Sequence, residues 1–435
     1  MNAPFVYGLQ LSFRRLRRTP WLSLSIVLTL ALGISTSMTA VGLLHVLTAD
    51  PIPSKSVTLF QPKRVEIDQT RSQFGTVSFA EAIALIGYKF DEGGATILSE
   101  GFGPVGSPES RTENSNALIL HTTRSFFPMF EVPFREGAVW SKTDDLEGNH
   151  VAVISAELSR RLFGRMPSVI GQTVRYGGTV FRVVGVLNEW RQTPRIYNLI
   201  TDSAFMKADD LYVPIKTVRD LAPDAFLPFV CNDEASSPAD HSTSVWGHND
   251  KLFSSQCRWV SMWIELPTKI QYEQFQRQMH GHEDGTFHYG LRNVPAIIRD
   301  SGIVPVDVKI YSMLGIGFLI LCVLSSSGAL LGKFFRQGFE TGLRRALGAS
   351  QRDIQFEFLS ESLLIGLLGG ILGLALTWMG MASVRQVQTP YAEVAHLDST
   401  MLVVTLLISI VSGILAGCLP AWRAARIAPG TQIRA

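Results

Sequence analysis

Four stretches of the chain, residues 21–47, 310–332, 362–381 and 400–419, are predominantly apolar and carry no Lys, Arg, Asp or Glu. A helix needs about 20 such residues to cross a bilayer core roughly 30 Å thick, so each stretch predicts a transmembrane helix. Buried helices of soluble proteins rarely need this length, and here the pattern occurs four times. The first stretch is longer than the apolar region of a signal peptide and has no small-x-small site ahead of a soluble remainder, which predicts an uncleaved span. Residues 48–309 follow another pattern. Short β-type runs such as 150–154 and 179–186 alternate with helix-type segments such as 156–163, separated by Gly, Pro, Asn and Asp clusters. The expected fold is an α-helical membrane protein with four transmembrane helices and a large α+β extracytoplasmic domain inserted between helices 1 and 2. A polar tract at residues 232–250, rich in Ser and holding Pro238 and His241, reads as an exposed loop dividing that domain into two subdomains.

Small residues recur at four-residue spacing inside the last two spans: Gly366 with Gly370 and Gly369 with Gly373 in the third, Gly413 with Gly417 in the fourth. Such stripes let helix backbones approach closely in lipid, within one subunit or between two.

Charge sets the orientation. Arg14, Arg15, Arg17 and Arg18 precede the first span, Lys333, Arg336, Arg344, Arg345 and Arg352 lie between the second and third, and Arg423, Arg426 and Arg434 follow the fourth, whereas the loop at 382–399 holds Arg385 alone. Basic residues close to a span resist translocation. Residues 1–20, 333–361 and 420–435 are therefore expected in the cytoplasm, with both termini inside, and 48–309 and 382–399 outside. The expected location is the bacterial inner membrane. With 435 residues, 46% of them hydrophobic, and a net charge of +2, nothing suggests nucleic-acid binding. The spans hold no charge that would mark a polar pathway.

Candidate chemistry outside the membrane is sparse. Cys322 and Cys418 lie in apolar runs, which leaves Cys231 and Cys257 as the candidate disulfide pair. His280, His282 and His288, with Glu283 and Asp284 among them, lack regular ligand spacing and read as a solvated polar turn rather than a metal site. No Gly-x-Ser-x-Gly motif or base-paired nucleophile occurs, so no catalytic residue is expected. No phosphate loop occurs either; Gly328-Ala-Leu-Leu-Gly-Lys333 has the wrong spacing and ends a span. This chain is therefore expected to hold no ATP, Mg or other cofactor of its own.

The segment at 333–361 is longer than a tight turn. Phe339, Leu343 and Leu347 fall at i, i+4 and i+8, so a short helix ending at Gly348 would have an apolar face opposite Glu340, Arg344 and Arg345. Ser350 with Asp353 then resembles a capping box opening a helix that runs into the third span. On the residues alone, this helix either takes force from a partner or merely lies among lipid headgroups.

The stretch Glu340-Thr-Gly-Leu-Arg-Arg-Ala-Leu-Gly-Ala-Ser350 resembles the signature of the MacB/FtsX-like permease family, with Thr341 where the family usually carries an aliphatic residue. The resemblance extends to Arg14-Arg-Leu-Arg-Arg-Thr-Pro-Trp21, to Pro420-Ala-Trp-Arg-Ala-Ala-Arg426, and, in the outer domain, to Val151-Ala-Val-Ile-Ser155, Arg161-Leu-Phe-Gly164, Ile170-Gly-Gln-Thr173 and Phe181-Arg-Val-Val-Gly-Val186. Residues 58–113 and 226–300 carry little of it. The resemblance implies a permease without a fused ATPase, working as a dimer with an identical or homologous permease and with two copies of a cytoplasmic ABC ATPase. Glu340, Gly342, Leu343, Arg344, Arg345, Ala346, Leu347 and Gly348 would form the coupling helix on which the ATPase docks. ATP hydrolysis would move the periplasmic domain, a process called mechanotransmission, to export a peptide, drug-like or lipid-linked cargo. A periplasmic adaptor and an outer-membrane channel are candidate further partners. The family also implies two alternatives, an FtsX-like regulator of a cell-wall hydrolase or sensor and a Lol-like lipoprotein-releasing permease.

Overall fold

The computed structural model describes residues 16, 19–66, 76–90, 94–107, 115–164, 166–198, 204–221, 252–253, 257–283, 287–300, 302, 304–386 and 399–426. The chain opens with α1 (Pro20–Thr48), β1 (Leu59–Glu66), α2 (Phe79–Phe90), β2 (Ala95–Gly106), β3 (Ser115–Thr122), α3 (Phe126–Met129) and β4 (Phe134–Gly137). There follow α4 (Lys142–Glu147), β5 (Val151–Ile154), α5 (Ala156–Phe163), β6 (Thr173–Tyr176), β7 (Thr179–Leu187), β8 (Leu211–Pro214), β9 (Ser261–Glu265), α6 (Lys269–His280), β10 (Phe287–Asn293) and α7 (Val294–Asp300). The last elements are α8 (Val306–Arg336), α9 (Gly338–Ala346), α10 (Gln351–Gln386) and α11 (Ser399–Arg426). They divide into two compact units, residues 49–303 and a second made of 1–48 with 304–435.

Residues 49–303 form an α+β unit on one sheet, which among the described residues has ten strands in the order β10-β1-β9-β2-β3-β8-β5-β7-β4, with β6 pairing β2 and β7. β3–β8 and β5–β7 are parallel pairs. Alternate residues point to opposite faces of a strand. Ile97, Ile119, Ala152, Ile154, Leu211 and Ile264 join one apolar cluster with α2 and α6, while Leu98, Leu120, Val151, Val153, Tyr212 and Trp263 join another with α3. Both faces are covered, which is why β5 and β8 read as unbroken apolar runs rather than as alternating ones.

The two expected subdomains meet a single sheet here: β9, which follows the polar tract in sequence, lies between β1 and β2, which precede it. The tract itself, 232–250, lies outside the described residues. Cys257 is disulfide-bonded. Its candidate partner Cys231 lies outside the described residues, and Cys322 and Cys418 are free thiols.

The other unit is a bundle of four helices long and apolar enough to cross a membrane. α10, with 36 residues, spans roughly 54 Å at 1.5 Å per residue, well beyond a bilayer core. The excess falls at the end next to α9, where α8 and α10 continue past the apolar stretches. The glycine stripes pack helices within this one chain. A Cβ on Gly366 would fall 2.7 Å from the Gly413 Cα, one on Gly369 3.1 Å from Leu30, and one on Gly373 3.1 Å from Ile34. Gly370 faces Ser409 and Gly417 faces Ser362, so α10 is seated on α11 by one stripe and on α1 by the other.

Candidate functional site

α9 is short, and its chemistry depends on how it is held. Its final backbone bonds run from Leu347 N–H to Leu343 O and from Gly348 N–H to Arg345 O. Gly348 then turns the chain at φ +101°, a conformation that favours glycine. Two residues on, the Ser350 N–H donates to Asp353 Oδ2 at 3.0 Å and the Asp353 N–H to Ser350 Oγ at 3.2 Å, a reciprocal cap opening α10. α9 and α10 are thus separated by a short, hydrogen-bonded corner.

The two arginines of α9 turn inward. Arg344 Nη1 lies 2.7 Å from Glu357 Oε1 on α10, and Arg345 Nη1 donates to the Ala425 carbonyl at 3.3 Å, near the end of α11 where helix carbonyls lack partners of their own. Thr341 and Gly342 are buried beneath the helix. The outward side carries Phe339 (62% exposed), Leu343 (49%) and Leu347 (81%), a ridge of three large apolar groups. Glu340 and Ala346 are exposed, as is Gly348 at the turn. α9 is therefore fixed to α10 and α11 by its charged residues and presents its apolar face outward, the reverse of a helix whose apolar face packs on its own protein. The spacing of the ridge was readable in sequence; the inward use of Arg344 and Arg345 depends on Glu357 and Ala425, which no local pattern connects to them.

Beneath α9, where α8 and α10 converge, Lys333 and Glu361 form a buried ion pair at 2.7 Å, with side chains 1% and 0% exposed. Lys333 Nζ also donates to Ser23 Oγ on α1 at 2.7 Å. Phe334 and Phe358 stack at 4.2 Å between ring centres. Lys333 and Glu361 stand one position outside the apolar stretches 310–332 and 362–381, and so read as span boundaries rather than as a pair. The charge-free spans expected from sequence thus lead directly into a charged, buried contact.

The sheet unit offers weaker candidates. His280 Nδ1 bonds Glu283 at 3.0 Å, Asp284 lies outside the described residues, and no group of three metal-binding side chains occurs among the described residues. Arg195 is fully buried, with Nη2 2.8 Å from Asp209 Oδ1 and Nε donating to the Tyr197 hydroxyl, which in turn donates to Asp209 Oδ2 at 2.9 Å. Burial opposes its charge, but Asp209, Tyr197 and Glu100 outweigh that and raise its pKa. His121, buried on β3 with Tyr176 Oη of β6 3.3 Å from Nε2, is pushed down to about 4 by burial. Neither group faces solvent.

Comparison with known proteins matches two successive parts of the chain. Residues 23–280 match the family model of the MacB-like periplasmic core domain, and residues 312–429 that of the FtsX-like permease C-terminal domain. The chain is 25% identical over 321 residues to the pyoverdine export ATP-binding/permease protein PvdT of Pseudomonas putida, covering 73% of this chain and 43% of that protein. It is 24% identical to the ABC transporter permease YknZ of Bacillus subtilis, covering 74% and 71%, and 23% identical to the macrolide export ATP-binding/permease protein MacB of Salmonella paratyphi A, covering 70% and 41%. The chain thus spans less than half the length of the PvdT and MacB relatives. A crystal structure of the periplasmic region of MacB from Actinobacillus actinomycetemcomitans aligns with 58% of this chain and 96% of its own length, at 13% identity and a TM-score of 0.36.

Proposed function

Because the chain belongs to the MacB/FtsX-like family of ABC transporter permeases, we propose that it is a permease subunit driven by a separate ABC ATPase that docks on α9. Members of this family work with ABC ATPases, and the chain is a multi-pass membrane protein. In the proposed arrangement α9 and both termini face the cytoplasm and residues 49–303 lie outside. The supporting observation is the outward ridge of Phe339, Leu343 and Leu347 on a helix tied to α10 and α11. A large exposed apolar group on a tethered helix suits insertion into a groove of another protein, and the tethers carry force from that contact into two spans. ATP closure would then move the outer unit and export a peptide, drug-like or lipid-linked cargo, with the permease acting as a dimer. This chain would supply no catalytic residue.

The test is affinity purification of the full chain from its own cells in detergent, with the captured ATPase quantified by mass spectrometry. Wild type is expected to retain an ABC ATPase. Leu343→Glu or Phe339→Glu, which place a charge on the ridge, should lower capture at least 10-fold without changing the level of the permease. Failure of wild type to hold an ATPase, or capture unchanged in both variants, would overturn the docking assignment.

A further inference from the structure

Lys333 and Glu361 are buried in a bundle whose other buried polar side chains, among the described residues, are uncharged Ser and Thr, and charged groups in such a place are costly and more often serve function than stability. The single ammonium group of Lys333 reaches three helices: it belongs to α8, pairs with Glu361 on α10, and donates to Ser23 on α1, 310 positions away. The contact is one of three successive rungs. Lys333–Glu361 at 2.7 Å comes first, then the stacked rings of Phe334 and Phe358, then Arg344–Glu357 at 2.7 Å. Together they close the hairpin that carries α9. An apolar pair of similar volume would fill the same space, and such exchanges are commonly neutral for stability. It would lack the ion pair and the Lys333–Ser23 hydrogen bond, specific contacts that favour one register between the helices.

We infer that Lys333, Glu361 and Ser23 form an interhelical clasp that ties the α9-bearing ends of α8 and α10 to α1, so that a displacement of α9 carries all three helices together. Lys333 and Glu361 are positioning residues in this role. Its use in coupling rests on α9 being the ATPase-docking helix; the clasp itself stands on the geometry alone.

The test uses spin labels on the full chain in lipid nanodiscs, attached through ketone-bearing residues placed at the exposed positions Trp21 on α1 and Arg352 on α10. This leaves Cys322 and Cys418 untouched. Wild type is expected to give one narrow distance distribution. The double variant Lys333→Met with Glu361→Leu should keep its thermal midpoint within a few degrees yet give a distribution at least twice as wide. Ser23→Ala, a minimal change, should also widen it. Equal widths in wild type and the folded double variant overturn the clasp; if the double variant does not fold, an unchanged width in Ser23→Ala does so. With the co-purified ATPase present, ATP should shift the wild-type distance as one population and split that of the double variant. Lack of ATPase capture by wild type would count against the docking assignment, while the widths measured on the chain alone still decide the clasp.

Discussion

Two of the buried charge networks among the described residues are built to opposite plans. In the sheet unit, Arg195, Tyr197 and Asp209 belong to one short segment, Arg195 and Asp209 lying 14 positions apart, with Glu100 on β2 a further 3.7 Å neighbour of Arg195. The network folds a segment onto itself and against one strand. In the bundle, Lys333, Glu361 and Ser23 come from three different helices, Lys333 and Ser23 lying 310 positions apart. The first network joins Arg195 and Tyr197 to Asp209 and to one strand. The second fixes long elements relative to one another. Burial and charge alone do not tell the two apart; what the partners join does, one segment and a neighbouring strand in the first and three long helices in the second.

The sharpest way to break this comparison is Arg195→Met. Asp209 and Glu100 would then remain buried with their cation removed, which should cost about 3–5 kcal/mol, read as a lowered unfolding midpoint of the full chain in detergent. Arg195→Met combined with Asp209→Leu should recover more than half of that loss and leave the Trp21–Arg352 distance distribution narrow. A widened distribution would mean that the sheet network also governs the bundle, and the contrast would fail.

The bundle and the sheet also differ in how much of them is readable from the chain. The four spans follow from uninterrupted apolar length, and the Ser350–Asp353 cap and the Phe339–Leu343–Leu347 ridge from spacings within one or two helical turns. The glycine stripes were readable as contact surfaces, but their partners, Gly413, Ser409 and Leu30, emerge only from the three-dimensional arrangement. Lys333 and Glu361 escaped notice because a charge at the edge of an apolar run is ordinarily a solvated boundary residue. Only the continuation of α8 and α10 beyond the apolar stretches brings the two inside. In the sheet unit, β9 crossing between β1 and β2 is a long-range pairing that no local pattern encodes, so the domain reads as two pieces where the structure has one sheet.

A smaller effect sharpens the contrast from the sheet side. His121 titrates near 4 when folded and at its ordinary 6.5 when unfolded, because burial disfavours the imidazolium. Between those values the unfolded chain binds the proton more readily, so stability rises with pH: the contribution is complete above about 6.5 and lost progressively as pH falls toward about 4. The His121 share of the change from pH 7 to 5 should be a loss of about 2 kcal/mol, read by amide exchange of β2 and β3 in the full chain as the difference between wild type and a variant without the imidazole, because Asp145, raised to about 6 by burial, contributes with the opposite sign over the same range. His121→Gln should flatten that slope. A slope of the same size in the bundle helices would show that the two units do not respond separately.

The smallest effect concerns the tether of α9, where stability and positioning part company most clearly. Arg344 is partly exposed and its pair with Glu357 is screened by solvent, so Arg344→Ala should cost under about 1 kcal/mol. Its consequence should instead be local. With the Arg344–Glu357 tether removed and Arg345–Ala425 retained, amide exchange across residues 338–346 should rise several-fold while that of the deep part of α10, around Gly369 and Gly373, stays unchanged. This follows from the order of the rungs: Arg344–Glu357 is the outermost, and Phe334–Phe358 and Lys333–Glu361 still close the hairpin beneath it. Exchange rising equally along α10 would mean that the outer pair, and not the buried one, holds the helices in register.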